Sequence, residues 1–337
     1  MVSIVVTGSI ATDYLTVYPG RFAEEIVPEA LEHLSLSFLV DDLAIRRGGA
    51  AANIAFNLGC LGLAPVLVGA VGADFAEYGR WLSAHGVDTS AVRISQTRRT
   101  ARFHCTTDAD QNQIASFYTG AMSESREIEL KPIVERMGGV DLVLVGPGDP
   151  AAMLRHTQEC REFGYPFAAD PSQQLSCLDT DAIAQLVDGA SYLFTNAYER
   201  DLLERKTGWG DAEILARVGA SVTTRGAKGV TVKRPAEPVV SVVPPYERLK
   251  ADPTGVGDAF RAGFLAGIQW GVGDEQAAQL GCTLATLVIE SVGTQEHEFE
   301  PGMFMERFSE AYGLQSAAEV ADHVCACEPN SPTRGVF

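Results

Sequence analysis

The chain has 337 residues, 46% of them hydrophobic and 21% charged, enough to bury the core of one large α/β domain or two modest ones. Its formal net charge of −18 repels nucleic acid and anionic membrane, so neither is expected as a partner. The seven cysteines (Cys60, Cys105, Cys160, Cys177, Cys282, Cys325 and Cys327) are odd in number and scattered without zinc spacing, which argues against a disulfide framework and predicts reduced thiols in a cytoplasmic protein. No basic region precedes the first short apolar run, and the longest nearly apolar stretch, Leu61–Ala73, is broken by three glycines and a proline. Neither a secretory signal nor a membrane span is predicted.

In chain order, Ser3–Thr7 reads as a buried strand, and the following stretch to Arg47 holds short strand-like pieces, Leu34–Val40 and Leu43–Arg47. A helix over Ala50–Leu61, a strand over Val66–Val71 and a helix over Phe75–His85 come next. Residues Ala101–Thr106 and Gln113–Tyr118 alternate around the turn Asp108-Ala109-Asp110, which predicts a hairpin. Strands at Asp141–Val145, Phe167–Ala169, Tyr192–Thr195 and Ser221–Thr224 then alternate with helices at Ala151–Phe163, Tyr198–Thr207 and Gly210–Val218. After Glu247 the pattern turns helical: Val256–Gly271, Asp274–Val292, Gly302–Tyr312 and Gln315–Cys325. Unbroken apolar strands alternating with helices predict an α/β fold, a mostly parallel central sheet flanked by helices. The pieces without a crossover helix, at about 13–47 and 98–119, predict a small discontinuous β sheet standing off a single domain of residues 1–325. Residues 326–337 are expected to form a disordered tail.

The strongest chemical signal is Asp252-Pro253-Thr254-Gly255-Val256-Gly257-Asp258-Ala259-Phe260. Pro253 stops any preceding element, Gly255 and Gly257 permit a tight loop, and an apolar helix follows at once. Such a loop presents unpaired backbone N–H groups at the positive end of the helix, which suits a phosphate. Asp258 then stands beside that anion site, where it can take a proton from a hydroxyl. A plain helix cap would account for Asp252 or Thr254 but leaves both glycines unexplained. A second turn into a helix, Arg47-Gly48-Gly49-Ala50-Ala51-Ala52-Asn53-Ile54-Ala55, is weak alone, since Asn53 could be a packed polar residue. Neither a P-loop nor a dinucleotide fingerprint is present. The six histidines share no metal spacing, Glu296-His297-Glu298 reads as a solvated loop, and Arg98-Arg99 as a solvent-exposed turn.

Together the two motifs resemble those of the PfkB (ribokinase-like) carbohydrate kinase family, the first its Gly-Gly…Asn signature and the second its Asp-[Thr/Pro]-x-Gly-x-Gly-Asp signature. Val256 departs from the small residue usual there, without affecting its backbone N–H. Thr195-Asn196-Ala197-Tyr198-Glu199 looks like the family's Asn-x-x-Glu, which implies that Asn196 and Glu199 organise Mg2+ through water. Thr224-Arg225-Gly226-Ala227-Lys228-Gly229 looks like its nucleotide-phosphate loop, so Asn196, Thr224–Gly229 and Gly257 are implied to bind ATP. The resemblance spans residues 1–325 and implies that the stand-off sheet is a lid over the substrate.

Within the family the chain looks most like actinobacterial adenosine kinases, on Gly8-Ser9-Ile10-Ala11-Thr12-Asp13, Ser35-Leu36-Ser37-Phe38-Leu39-Val40-Asp41-Asp42, Phe103, Phe117 and Asp170-Pro171-Ser172-Gln173-Gln174. This implies phosphorylation of the 5′-hydroxyl of adenosine to AMP, as in purine salvage, with Asp258 as base and the amides around Gly255 and Gly257 on the γ-phosphate. Ser9, Asp13, Ser37, Gly49, Asn53, Phe103, Phe117, Gln173 and Gln174 are the expected substrate-binding residues. Asp13, at the end of the first strand, would accept from two ribose hydroxyls with Gly49 and Asn53 on the same ring. Phe103 and Phe117, on opposite arms of the hairpin, would stack on a flat base or merely fill lid core, and Gln173 and Gln174 would meet the purine edge. A sugar kinase acting on ribose or fructose, another nucleoside kinase, and a non-catalytic nucleoside-binding regulator remain alternatives. A homodimer through the lid sheet is expected, because its short pieces leave edges that pairing would protect. A monovalent-cation requirement is left open.

Overall fold

The computed structural model describes residues 3–26 and 37–327. The expected strand piece Leu34–Val40 falls partly outside these residues and, from 37 to 40, is not a strand; residues 328–337 of the expected tail also lie outside them. Thirteen strands run in chain order among the described residues: β1 (Ile4–Thr7), β2 (Ala11–Val17), β3 (Asp42–Gly48), β4 (Val66–Val71), β5 (Val92–Ile94), β6 (Ala101–Thr107), β7 (Gln113–Tyr118), β8 (Leu142–Val145), β9 (Phe167–Ala169), β10 (Tyr192–Asn196), β11 (Ala220–Thr224), β12 (Val230–Lys233) and β13 (Val240–Val242). The helices are α1 (Phe22–Glu25), α2 (Ala50–Cys60), α3 (Ala76–Ala84), α4 (Leu130–Met137), α5 (Pro150–Phe163), α6 (Thr180–Val187), α7 (Ala197–Thr207), α8 (Asp211–Leu215), α9 (Val256–Gln269), α10 (Asp274–Ile289) and α11 (Pro301–Cys325).

Nine strands form one sheet in the order β13-β12-β11-β10-β9-β8-β1-β4-β5. It is parallel from β11 to β5, and β12 pairs antiparallel with both its neighbours. Every residue of β1, β4 and β8 is buried, which is why those stretches read as unbroken Val/Leu runs: each is covered on both faces. One apolar cluster packs α2, α9, α10 and α11 against one face, and a second packs α4, α5 and α6 against the other. Gly263 and Gly281 let α9 and α10 touch: a Cβ on Gly263 would lie 2.7 Å from the Gly281 Cα.

The chain differs from the sequence expectation in several places. Helices α4 and α6 and the edge hairpin β12–β13 were not anticipated. The last two strands are short and follow Gly229, so their alternation covers only a few residues. Helix α11 is broken at Gly313 (φ 83°, ψ 165°), which separates the two expected helical segments. Ala326 and Cys327, assigned to the tail, form a turn in which the buried Cys327 Sγ donates to the His323 carbonyl.

The other four strands form the small sheet, in the order β3-β2-β6-β7. Asp74, just past β4, ties its stalk to the main sheet. Its Oδ1 accepts from the Thr100 N–H and hydroxyl at 2.9 and 2.8 Å, and its Oδ2 from Arg102 at 3.0 Å. At the far end the buried Asp108 accepts from the N–H groups of Phe22, Asp110 and Asn112 and closes the hairpin turn. Asp13 does not end the first strand as expected. The backbone breaks at Gly8 (φ 147°) after Thr7, and Asp13 is the third residue of β2, in the small sheet.

Candidate active site

Register decides which small-sheet residues share a face. Asp13 pairs with Phe103, and Phe103 with Phe117, so the three form one row across β2, β6 and β7. That row lines a cavity of about 540 Å³ whose opposite wall comes from the main body: Ser9, Gly49 and Asn53 on one side, Gln173 and Gln174 on another, and Gly255 and Asp258 at the floor. Ser37, by contrast, is exposed and outside this lining. Phe117 is 47% exposed, which is incompatible with a ring that merely fills lid core.

Local conformation explains how these residues meet. Ser9 caps α2, its Oγ accepting from Ala50 N–H at 3.0 Å. Gly49 takes φ 93°, and a Cβ there would lie 2.6 Å from Ala11 N, so only glycine lets α2 start against β2. Gly48 is crowded from the cavity side: a Cβ would lie 2.5 Å from the Asp13 carboxylate. At α9, Gly255 sits at φ 78° and no side chain caps the helix, so the first amides of α9 stay available to an anion. Asp252 steadies the loop, accepting from Thr254 and Gly293 N–H at 2.9 and 3.1 Å.

A second cavity of about 370 Å³ lies on the other side of the same loop. Asn196, Thr224, Gly226, Ala227 and Gly229 line it together with Val256 and Gly257. Pro244, Val230, Ala285 and Ile289 make its apolar part. Arg225 and Lys228, expected in this set, are exposed and do not line it. Asn196 and Glu199 form a capping box on α7: Glu199 Oε2 accepts from Asn196 N–H at 2.7 Å and Oε1 from the Asn196 amide at 2.8 Å. With both oxygens so engaged, Glu199 fits a hydrated cation held through water better than a direct ligand. No cluster of three or more His, Cys, Asp or Glu suited to a metal occurs among the described residues.

Asp258 receives a 2.9 Å hydrogen bond on Oδ2 from the Asn53 amide, joining two helix starts 205 residues apart. Burial pushes its carboxyl up to about 6 and Glu199 adds to this, while the Asn53 bond and the Arg261 guanidinium oppose it. Asp13 is pushed up to about 7, chiefly by burial and then by the charges of Asp258, Glu296 and Asp252. Sequence reasoning missed Arg261, which is buried. It pairs with Asp170 at 2.5 and 2.7 Å and donates to the Gly257 carbonyl at 3.0 Å, beneath the anion loop. Its position one turn after Asp258 was the available signal. Also missed were Cys177, Ser176 and Thr294 in the cavity wall. Glu296-His297-Glu298 is not simply a solvated loop: His297 is 1% exposed and edge-on to Phe56, because the segment turns back beneath α2.

Residues 3–300 match the pfkB family carbohydrate kinase pattern. The chain belongs to that family. It is 30% identical over 272 residues to a nucleoside kinase of Methanothermobacter thermautotrophicus, covering 80% of this chain and 86% of that one. Its fold superposes on the Burkholderia thailandensis nucleoside kinase solved with inosine (34% identity, TM-score 0.81, 93% and 98% of the two chains). It also superposes on the Methanocaldococcus jannaschii nucleoside kinase, an archaeal member of the ribokinase family (26%, 0.82, 92% and 99%). The architecture is therefore ribokinase-like and this protein is a kinase.

The two raised carboxyls set an expectation for pH. In the roles expected from the sequence, diol acceptor and proton acceptor, Asp13 and Asp258 would act only when ionised, and each holds its proton to higher pH than a free carboxyl. The kinase should therefore lose kcat/KM as pH falls through 7 and then 6, with a limb steeper than one proton below pH 6. Asp13→Asn should leave a one-proton limb. A rate flat from pH 8 to 5 would contradict both assignments.

Proposed function

We propose that this kinase transfers the γ-phosphate of ATP to the 5′-hydroxyl of a nucleoside, adenosine, giving AMP. The observation that carries the reading is the row Asp13–Phe103–Phe117 facing Gln173 and Gln174 in one cavity with Asp258. Asp13 accepts from the ribose diol, the two rings offer π-faces to a base, and the glutamine amides offer donors and acceptors to its edge. A bare sugar leaves those aromatic faces without use. In the transfer the 5′-oxygen bonds to the γ-phosphorus as its proton passes to Asp258, the bond to the β,γ-bridging oxygen breaks, and ADP leaves. The uncapped amides of α9 hold the charge on the transferring group. Asn196 and Glu199 would hold the water shell of Mg2+, which supplies charge neutralisation on the phosphates. The Burkholderia relative solved with inosine favours a second reading, in which a 6-oxo purine nucleoside is accepted as well; the reversible amide ends of Gln173 and Gln174 suit either. Seven free cysteines, five of them buried, fit a reducing cytoplasm, and forming AMP from adenosine would be a purine-salvage step. A second copy of this chain across the outer face of the lid, where Leu43, Ile114 and Tyr118 are exposed, completes the proposal; a one-protomer mass by light scattering at micromolar concentration would remove it.

Phe103→Ala and Phe117→Ala should each weaken adenosine binding by about 1–3 kcal/mol, the worth of a base–aromatic stack, while any ribose phosphorylation changes much less. Measuring kcat/KM for adenosine, inosine, guanosine, ribose and fructose in both variants tests this. A parent enzyme that prefers ribose would end the nucleoside reading. Asp258→Asn should retain nucleoside and ATP binding and lower kcat by roughly 10²–10⁴. Near-parental turnover would take Asp258 out of the mechanism.

A further inference from the structure

Behind Asn53 lies a buried chain of hydrogen bonds that no part of the cavity lining reveals. Trp81 Nε1–H donates to Gln295 Oε1 at 3.1 Å. Gln295 Nε2 donates to Asn53 Oδ1 at 2.9 Å and to the Tyr78 oxygen at 2.6 Å. Tyr78 passes its own proton to the Gly48 carbonyl at 3.0 Å. Asn53 then donates to Asp258 Oδ2 at 2.9 Å. Gln295 is 0% exposed and Asn53 4%.

The two ends of this chain fix its direction. An indole N–H can only donate and an ionised carboxylate can only accept. Trp81 therefore requires the oxygen end of Gln295, which turns the Gln295 nitrogen towards Asn53. Asn53 must then present its oxygen to Gln295 and its nitrogen to Asp258. A flip of either amide would set donor against donor or oxygen against carboxylate inside the protein, where an unpaired polar group is costly. The Thr294 hydroxyl, 2.8 Å from the Arg47 carbonyl and 3.0 Å from Asn53 Oδ1, has one proton for two acceptors, so it cannot replace Gln295 as the fixed donor.

We propose that Gln295, oriented by Trp81, is the positioning residue that locks Asn53 with its N–H on Asp258, keeping one carboxylate oxygen occupied and the other free for the substrate hydroxyl. The inference rests on Asp258 being the base. The charged groups around that carboxyl are Asp13 on β2, Asp170 after β9, Glu199 on α7 and Arg261 one turn along α9; Trp81, Tyr78 and Gln295 carry no charge among them. Loss of the relay therefore acts through one hydrogen bond to the ionised form, and its removal must raise the pH at which the base titrates.

The test is kcat against pH at saturating adenosine and ATP, with melting temperature, for the parent, Gln295→Met, Gln295→Glu and Trp81→Phe. Gln295→Met should lower kcat roughly tenfold or more and move its acid limb up by about one pH unit. Gln295→Glu, which adds an acceptor and a negative charge, should move it further, and Trp81→Phe roughly half as far. Trp81→Phe keeps an aromatic ring beneath Arg47, so it carries the test if the Gln295 variants fold poorly. Limbs superimposable on the parent's, whatever the loss of rate, would overturn the inference and leave only a packing role. Undiminished kcat in Asp258→Asn would instead overturn the base reading, and this inference with it.

Discussion

The arrangement of the site turns on one half-buried carboxylate at a helix start with other anions near it. Asp258 stands at the start of α9 with Asp13, Asp170 and Glu199 around it, and burial raises its affinity for protons. Two features work against that. Arg261, buried one turn later, offers positive charge while its own charge is balanced by Asp170, so the desolvated guanidinium is never alone. Asn53 supplies a hydrogen bond that exists only if α2 and α9 are held at the right separation. The extensive packing within the cluster that contains both helices secures that separation, and the close approach of α9 to α10 at Gly263 and Gly281 backs it from behind.

The sequence revealed the parts of this arrangement that depend on backbone. Gly49 and Gly255 could be read because a turn into a helix at φ 93° or 78° favours glycine, whereas Gly257 sits inside α9 without a positive φ; the unbroken apolar strands could be read because a buried parallel sheet leaves no polar face. What stayed hidden depends on pairing between distant side chains. Nothing local tells that Arg261 meets Asp170, or that Gln295 meets Trp81, since each residue alone is an ordinary polar or aromatic position on a helix or loop. Asp13 was legible as a residue type but misplaced, because the chain leaves the main sheet at Gly8 and immediately begins another strand. Its alignment with Phe103 and Phe117 is a matter of register, which sequence alternation could suggest for the hairpin but not for β2 beside it.

The loop after β9 meets the start of α7 at one strained residue. Ser172 adopts φ 45°, a left-handed conformation that a serine holds only when its surroundings demand it. Its hydroxyl lies 2.7 Å from Gln173 Oε1 and 3.3 Å from Glu199 Oε1, and Asp170, two residues earlier, is clamped by Arg261. The strained residue therefore lies between Gln173, which lines the first cavity, and Glu199, the capping partner of Asn196 in the lining of the second. On one side Gln173 lines the wall opposite Phe103 and Phe117; on the other Glu199 closes the capping box next to the loop at 224–229. A serine hydroxyl has one proton to give, so only one of the two oxygens takes it; Glu199 Oε1 keeps the Asn196 amide in either case, while Gln173 Oε1 without it must turn to another donor. The strained residue thus ties the orientation of an amide in one cavity to the solvation of a carboxylate beside the other, through a single side chain rather than through any movement of the sheet.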